Sequence, residues 1–146
     1  MAPKSAGSSP ASPIIPYNSN SYVANHFNIL NSKKIPRISI KYTTKTIKIV
    51  RALYHNRIIQ GYIITNEQGT KKITFNTHYY RGVSYFSHFK VVSVPSKSQT
   101  ISLKALRIAV KSIGRSLILL ETDKGIITHT EALSYSIGGK IMGVIS

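Results

Sequence analysis

The chain carries 20 Lys and Arg against 4 Asp and Glu, and residues 1–66 contain no acid at all. No other feature constrains its folding so tightly. Internal ion pairs cannot neutralise so many cations, and at a formal +16 the like charges repel one another in any compact state. Such a chain must bury enough apolar surface to hold together, keep its cations outward, and work where a polyanion offsets them. The first condition is met, because 42% of its 146 residues are hydrophobic. That is enough for a core in one unit or two small packed lobes. The last condition points to nucleic acid, with an anionic membrane surface as the second choice.

Several classes of chemistry drop out. Cysteine is absent, so disulfides and thiolate metal sites are excluded. His26, His55, His78, His88 and His129 show no paired ligand spacing. Glu121 and Asp123, two apart on a turn, make a poor acid/base dyad. There is no GKS/T phosphate loop, and no apolar run approaches the roughly 20 residues that cross a bilayer. The expectation is a protein with no catalytic residue, metal, cofactor, small-molecule substrate or membrane span. Tyr79-Tyr80 and Tyr85-Phe86 suit base stacking or strand packing, and their β-propensity favours packing.

The organisation reads as follows. Residues 1–20, rich in Ser, Pro and Ala, form a flexible tail without the apolar or Arg-rich pattern of a targeting signal. "SYVANHFNILNSKK" puts Val23, Phe27 and Leu30 at helical spacing, and "PRISIKY" alternates as a half-buried strand. "TTKTIKIVRALYHN" returns to a helical period. Ile47, Ile49, Val50, Leu53 and Tyr54 face inward; Thr44, Lys48, Arg51 and His55 lie opposite, with Thr43 or Thr44 as cap. "IIQGYIITNEQGTKKITFNTHYY" is a hairpin around Asn66–Gly69. A loop and edge strand follow to Phe89, then extended segments broken at Pro95. "KALRIAVKSI" is a short helix with Leu106, Ala109 and Ile113 inward, and "RSLILLET" is a buried strand. Helices mixed with antiparallel strands, without regular βαβ alternation, give the class α+β. The expected division is a tail (1–20), an N-terminal α+β lobe (21–82) and a mostly β C-terminal lobe (83–146).

The last 26 residues, "ETDKGIITHTEALSYSIGGKIMGVIS", are the most informative. Gly125 permits a sharp turn after the Leu117–Leu120 strand. Thr128 and Glu131 match a T-x-x-E capping box that starts a helix through Tyr135. Gly138-Gly139 ends that helix and feeds a final strand. Glu121 and Asp123 are placed either to orient the turn or to pair with Lys124 or Arg115.

This order resembles the carboxyl end of the small-subunit ribosomal protein S8 family, at Thr122, Lys124, Gly125, Thr128, Glu131, Ala132, Gly138 and Gly139. Upstream, Val92, Ser93 and Pro95 are similar to the family's Val-Ser-Lys-Pro-Gly segment. Tyr42, Leu53, Ile59, Gly61 and Tyr62 follow its second helix and next strand. The resemblance spans residues 21 to 146. It departs where Glu121 and Asp123 replace serines, where Val94 and Ser96 replace Lys and Gly, at Thr100 and Ser102, and where Lys140 replaces a Glu.

The resemblance implies a two-lobed structural protein that binds the central domain of small-subunit rRNA beside neighbouring ribosomal proteins. Short polar side chains and turn amides suit the shallow minor groove of A-form RNA, and lysines suit its phosphates. The positions expected to meet RNA are Asn31, Lys33, Lys34, Lys48, Arg51, Ser93, Lys97, Thr122, Lys124, Gly125 and Thr128. Abundant Lys, Ile, Asn and Tyr suggest an AT-rich gene, hence a mitochondrial ribosome, with plastid or bacterial cytoplasm as the alternatives. A non-ribosomal translational regulator, or a charge-driven DNA or membrane binder, is the rival function.

Overall fold

Two apolar periodicities, one of strands and one of helices, set the architecture. The computed structural model describes residues 18–77, 79–80, 83–84, 86, 88–93 and 97–146. In chain order the elements are α1 (Ser19–Ser32), β1 (Ile38–Lys41), α2 (Thr44–His55), β2 (Ile59–Glu67), β3 (Thr70–Thr77), β4 (Tyr79–Tyr80) and β5 (Val83–Ser84). Then come β6 (Phe89–Val91), β7 (Thr100–Ile101), α3 (Leu103–Ala109), β8 (Leu117–Thr122), β9 (Gly125–Thr128), α4 (His129–Tyr135) and β10 (Gly139–Ile145). The class is α+β, and every strand pair is antiparallel.

In the N-terminal half, β1-β3-β2 form a three-stranded sheet. The β2–β3 hairpin closes through Gln68-Gly69, both at positive φ (54° and 80°), as a two-residue hairpin turn requires. Alternation puts Ile40, Ile73 and Phe75 on one face, where they pack against Val23, Phe27 and Leu30 of α1 and Val50 and Leu53 of α2. Thr43 caps α2 in a reciprocal box with Thr46, accepting from the Thr46 N–H at 3.1 Å.

In the C-terminal half, β9-β8-β10-β6 form a sheet, with β7 also paired to β10. Its middle strand β8 is apolar on both faces because both are covered. Leu119 enters the main core with α1, whereas Ile118 and Leu120 join Leu106 of α3 and Ala132 of α4 in a second cluster. Phe89, Met142 and Ile145 carry the main core across the two halves. Asn28 of α1 acts as a surrogate strand partner: its amide donates to Phe89 O at 3.0 Å and accepts from Phe89 N at 2.7 Å.

Three sequence expectations change. Tyr54 is 51% exposed, not inward, and packs edge-on against Tyr62 at 5.5 Å. Helix α4 ends at Ser136, in the left-handed conformation (φ 58°), two residues before the double glycine expected to stop it. Gly138 and Gly139 instead permit close strand approach: a Cβ would lie 2.3 Å from Ile101 O at the first and 2.6 Å from Thr122 Cγ2 at the second. Helix α3 is shorter than expected, leaving the half-buried Ile113 beyond its end. Residues 1–17 of the tail, the break at Pro95, His78 and Tyr85 lie outside the described residues.

Candidate nucleic-acid interface

The turn between β8 and β9 is built by three residues. Gly125 takes φ 96°, which side-chain-bearing residues rarely adopt. Thr122 Oγ1 donates to Gly125 O at 3.1 Å and accepts from Lys124 N at 3.0 Å, so the hydroxyl holds the turn from inside. Lys124 and Asp123 are left exposed at the tip, and Lys124 Nζ lies 5.3 Å above the Tyr135 ring.

Opposite this turn runs α2. Its buried stripe faces the sheet, so Lys45, Lys48, Arg51 and His55 are exposed on the other side. The α2 face and the β8–β9 turn meet across a cleft of about 770 Å³. Lys45, Lys48 and Arg51 line one wall; Thr122, Gly125 and Lys140 line the other. The N-terminus of α1 lies between them, and Asn20 Nδ2 donates to Glu121 Oε1 at 3.5 Å. At the end of α2, His55 Nε2 stands 3.9 Å from Glu131 Oε2 at the start of α4. The two halves of the sequence therefore present one cationic, hydroxyl-bearing surface.

The family model described as Ribosomal protein S8 matches residues 23–145, nearly the whole described chain. The chain belongs to the ribosomal protein S8 family. Among curated relatives, the small ribosomal subunit protein uS8 of Mycoplasmopsis pulmonis is 27% identical over 113 residues, covering 77% of this chain and 84% of that protein. The uS8 protein of Brucella melitensis biotype 1 is 26% identical over 111 residues, covering 75% and 83% respectively. That of Mycoplasmopsis agalactiae is 24% identical over 115 residues, covering 79% and 86%.

Membership of the S8 family lets two departures from its pattern be read together. Glu121 and Lys140, two positions where the resemblance noted above departs from the family, are partners in the β8–β10 register. The Glu121 carboxylate accepts from the Asn20 amide of its own chain at 3.5 Å.

The expected contact residues divide by burial. Lys33, Lys34, Lys48, Arg51, Lys97, Lys124 and Gly125 are exposed. Lys48 and Arg51 share the cleft with Thr122 and Gly125, whereas Lys33 and Lys34 follow the far end of α1. Three expected contacts are inside. Asn31 is 6% exposed and donates to Phe27 O at 2.9 Å. Ser93 is 1% exposed; its hydroxyl accepts from Gln99 N at 2.9 Å, tying β6 to the segment before β7. Thr128 is 2% exposed, and Glu131 Oε1 accepts from its N–H at 3.5 Å as part of the capping box. Ser93 nevertheless lines the cleft with Lys48, Arg51, Thr122 and Gly125, whereas Asn31 and Thr128 do not. Lys45, Ser19 and Lys140 also line the cleft and lie outside the expected contact positions. Lys45 lies three residues before Lys48 on the same helix face, so helical spacing carried that signal. Lys140 is revealed only by strand register, and Ser19 only by tertiary packing.

Proposed function

We propose that the chain is a structural constituent of the small ribosomal subunit that binds and stabilises the central domain of small-subunit rRNA. Membership of the S8 family and the printed names of its relatives support the ribosomal role. The observation that carries the RNA reading is the shared cleft, where three cations of α2 stand across from the Thr122–Gly125 turn. Phosphates take the cations, and the wide minor groove of A-form RNA takes the turn. Binding pins two RNA segments to one rigid protein surface, which stabilises their junction. The protein contributes no chemistry. Neighbouring small-subunit proteins are its further partners, and the Lys- and Ile-rich composition fits a mitochondrial ribosome. No helix among the described residues is long and apolar enough to cross a membrane.

Sucrose-gradient fractionation of native ribosomes tests this reading. The chain should co-sediment with small subunits, and ultraviolet crosslinking should join Lys48, Arg51 or Lys124 to central-domain rRNA. Its recovery solely in free messenger-RNA particles would refute the proposal.

A further inference from the structure

Strand β2 is the one long sheet edge among the described residues. It runs nine residues and pairs with β3 on one side only. The other edges are short: β1 and β9 have four residues, β6 three, and β4, β5 and β7 two each. Asn28 already covers the β6 edge at Phe89. Alternate residues of β2 turn their N–H and C=O groups away from β3, and these groups have no backbone partner among the described residues. Natural sheets blunt such an edge with charge, and this chain has 20 cations to draw on. Yet residues 58–66 contain no charged residue. Ile63 is 58% exposed and Ile64 44%, on opposite faces of the strand. An uncharged edge with exposed apolar side chains on both faces is the form that accepts an added strand.

The charge around the edge selects the occupant. Ile63 and Arg37 line one hollow of about 390 Å³ beside Gly61. On the Ile63 face of the sheet, Lys72 stands opposite Thr65 of β2 and opposite Lys41 of β1. Two facing lysines destabilise a strand pair, and neither they nor Arg37 has an ion-pair partner among the described residues. A carboxylate brought in along β2 relieves that repulsion. RNA fits worse, because β2 offers its phosphates no cation between Ile59 and Asn66. A second copy brings a further +16, and the chain's own residues 1–17 contain no acid. We propose that the free edge of β2 is a strand-addition site for an extended segment of a neighbouring protein, uncharged and β-branched at its centre and acidic at its ends. The inference rests on the ribosomal reading for where that neighbour is met, and on the strand itself for what it must be.

A labelled peptide of about ten residues, with alternating Val and Thr between paired Glu at both ends, probes the site on the isolated full chain. In fluorescence anisotropy it should bind. Ile63→Lys should weaken it at least tenfold although the change adds a cation, and Ile108→Lys, which adds the same charge at an exposed position of α3, should not. Replacing the peptide's Glu by Lys should also weaken binding at least tenfold. No binding, or affinity unchanged by Ile63→Lys, would overturn the proposal. Hydrogen exchange then compares the free chain, the chain with a central-domain rRNA fragment, and the native small subunit. The outward amides of β2 should exchange freely in the first two and at least a hundredfold more slowly in the third. Protection already present in the free chain would assign the edge to its own tail or to a second copy, and protection by the fragment would assign it to RNA. Either result, or free exchange in the subunit, defeats the proposal. If the fragment fails to bind while the peptide binds, the RNA reading falls and the edge site stands. If the chain is missing from small subunits, the ribosomal reading falls and the peptide result alone decides the site.

Discussion

His129 shows how much a single residue can do in this fold. It is 8% exposed, and its Nδ1 accepts from Ile118 N at 3.2 Å, which requires the neutral ring. Burial lowers its pKa below the ordinary 6.5. The unfolded chain therefore binds the proton more readily than the folded one. The stabilisation is fully present above pH 6.5 and is lost as pH falls from there towards the lowered folded value. Urea titrations at pH 7.5 and 5.5 should show the wild type less stable at the lower pH, and His129→Asn should show a smaller difference. The glycines make a second residue-scale case. Gly138→Ala must displace the Ile101 carbonyl and should cost about 1–3 kcal/mol by denaturant titration. Gly125→Ala meets no atom within 4 Å, so its cost comes from φ strain alone, about 1–2 kcal/mol. RNA affinity should suffer more from the Gly125 change, because that turn faces the cleft.

At the scale of elements, α2 carries most of the account, since one stripe of it builds the core and the other lines the cleft. Thr43→Ala removes its cap and should destabilise the protein by about 1 kcal/mol in thermal or urea unfolding. The helix, its cap and its cationic face were legible because a 3.6-residue period repeats over three turns. The hairpin was legible because two β-branched runs flank a Gly-containing turn. The T-x-x-E box was legible because both its residues lie within one turn of helix. Other features rest on contacts distant in sequence. Tyr54 lies at the margin of the apolar stripe, and only its pairing with Tyr62 shows which way it turns. The role of Gly138-Gly139 depends on strands from residues 101 and 122 crossing within reach. Ser93 and Thr128 have the polarity of RNA contacts, and only the folded structure shows that both are buried and that Ser93 lines the cleft while Thr128 sits in the capping box. Glu121 and Lys140 become partners only once the β8–β10 register is known.

For the whole molecule, the unusual quantity is still a formal charge of +16 on 146 residues. Among the described residues, every Lys and Arg but the half-buried Lys140 is exposed, and the cleft gathers part of this charge beside the Thr122–Gly125 turn. If about 6 phosphates are neutralised, RNA affinity should fall roughly a thousandfold between 50 and 200 mM salt. Replacing Lys48, Arg51 and Lys124 together by Ala should lower the slope of log affinity against log salt by about 2–3 while the fold persists. Charge alone, however, would bind any polyanion equally. The measurement that bears most directly on the account is a fluorescence-anisotropy titration at 150 mM salt, comparing a central-domain small-subunit rRNA fragment with a scrambled RNA duplex of equal length. A cleft and turn shaped for a particular junction should favour the rRNA fragment at least tenfold. Equal affinity for the two RNAs would contradict it.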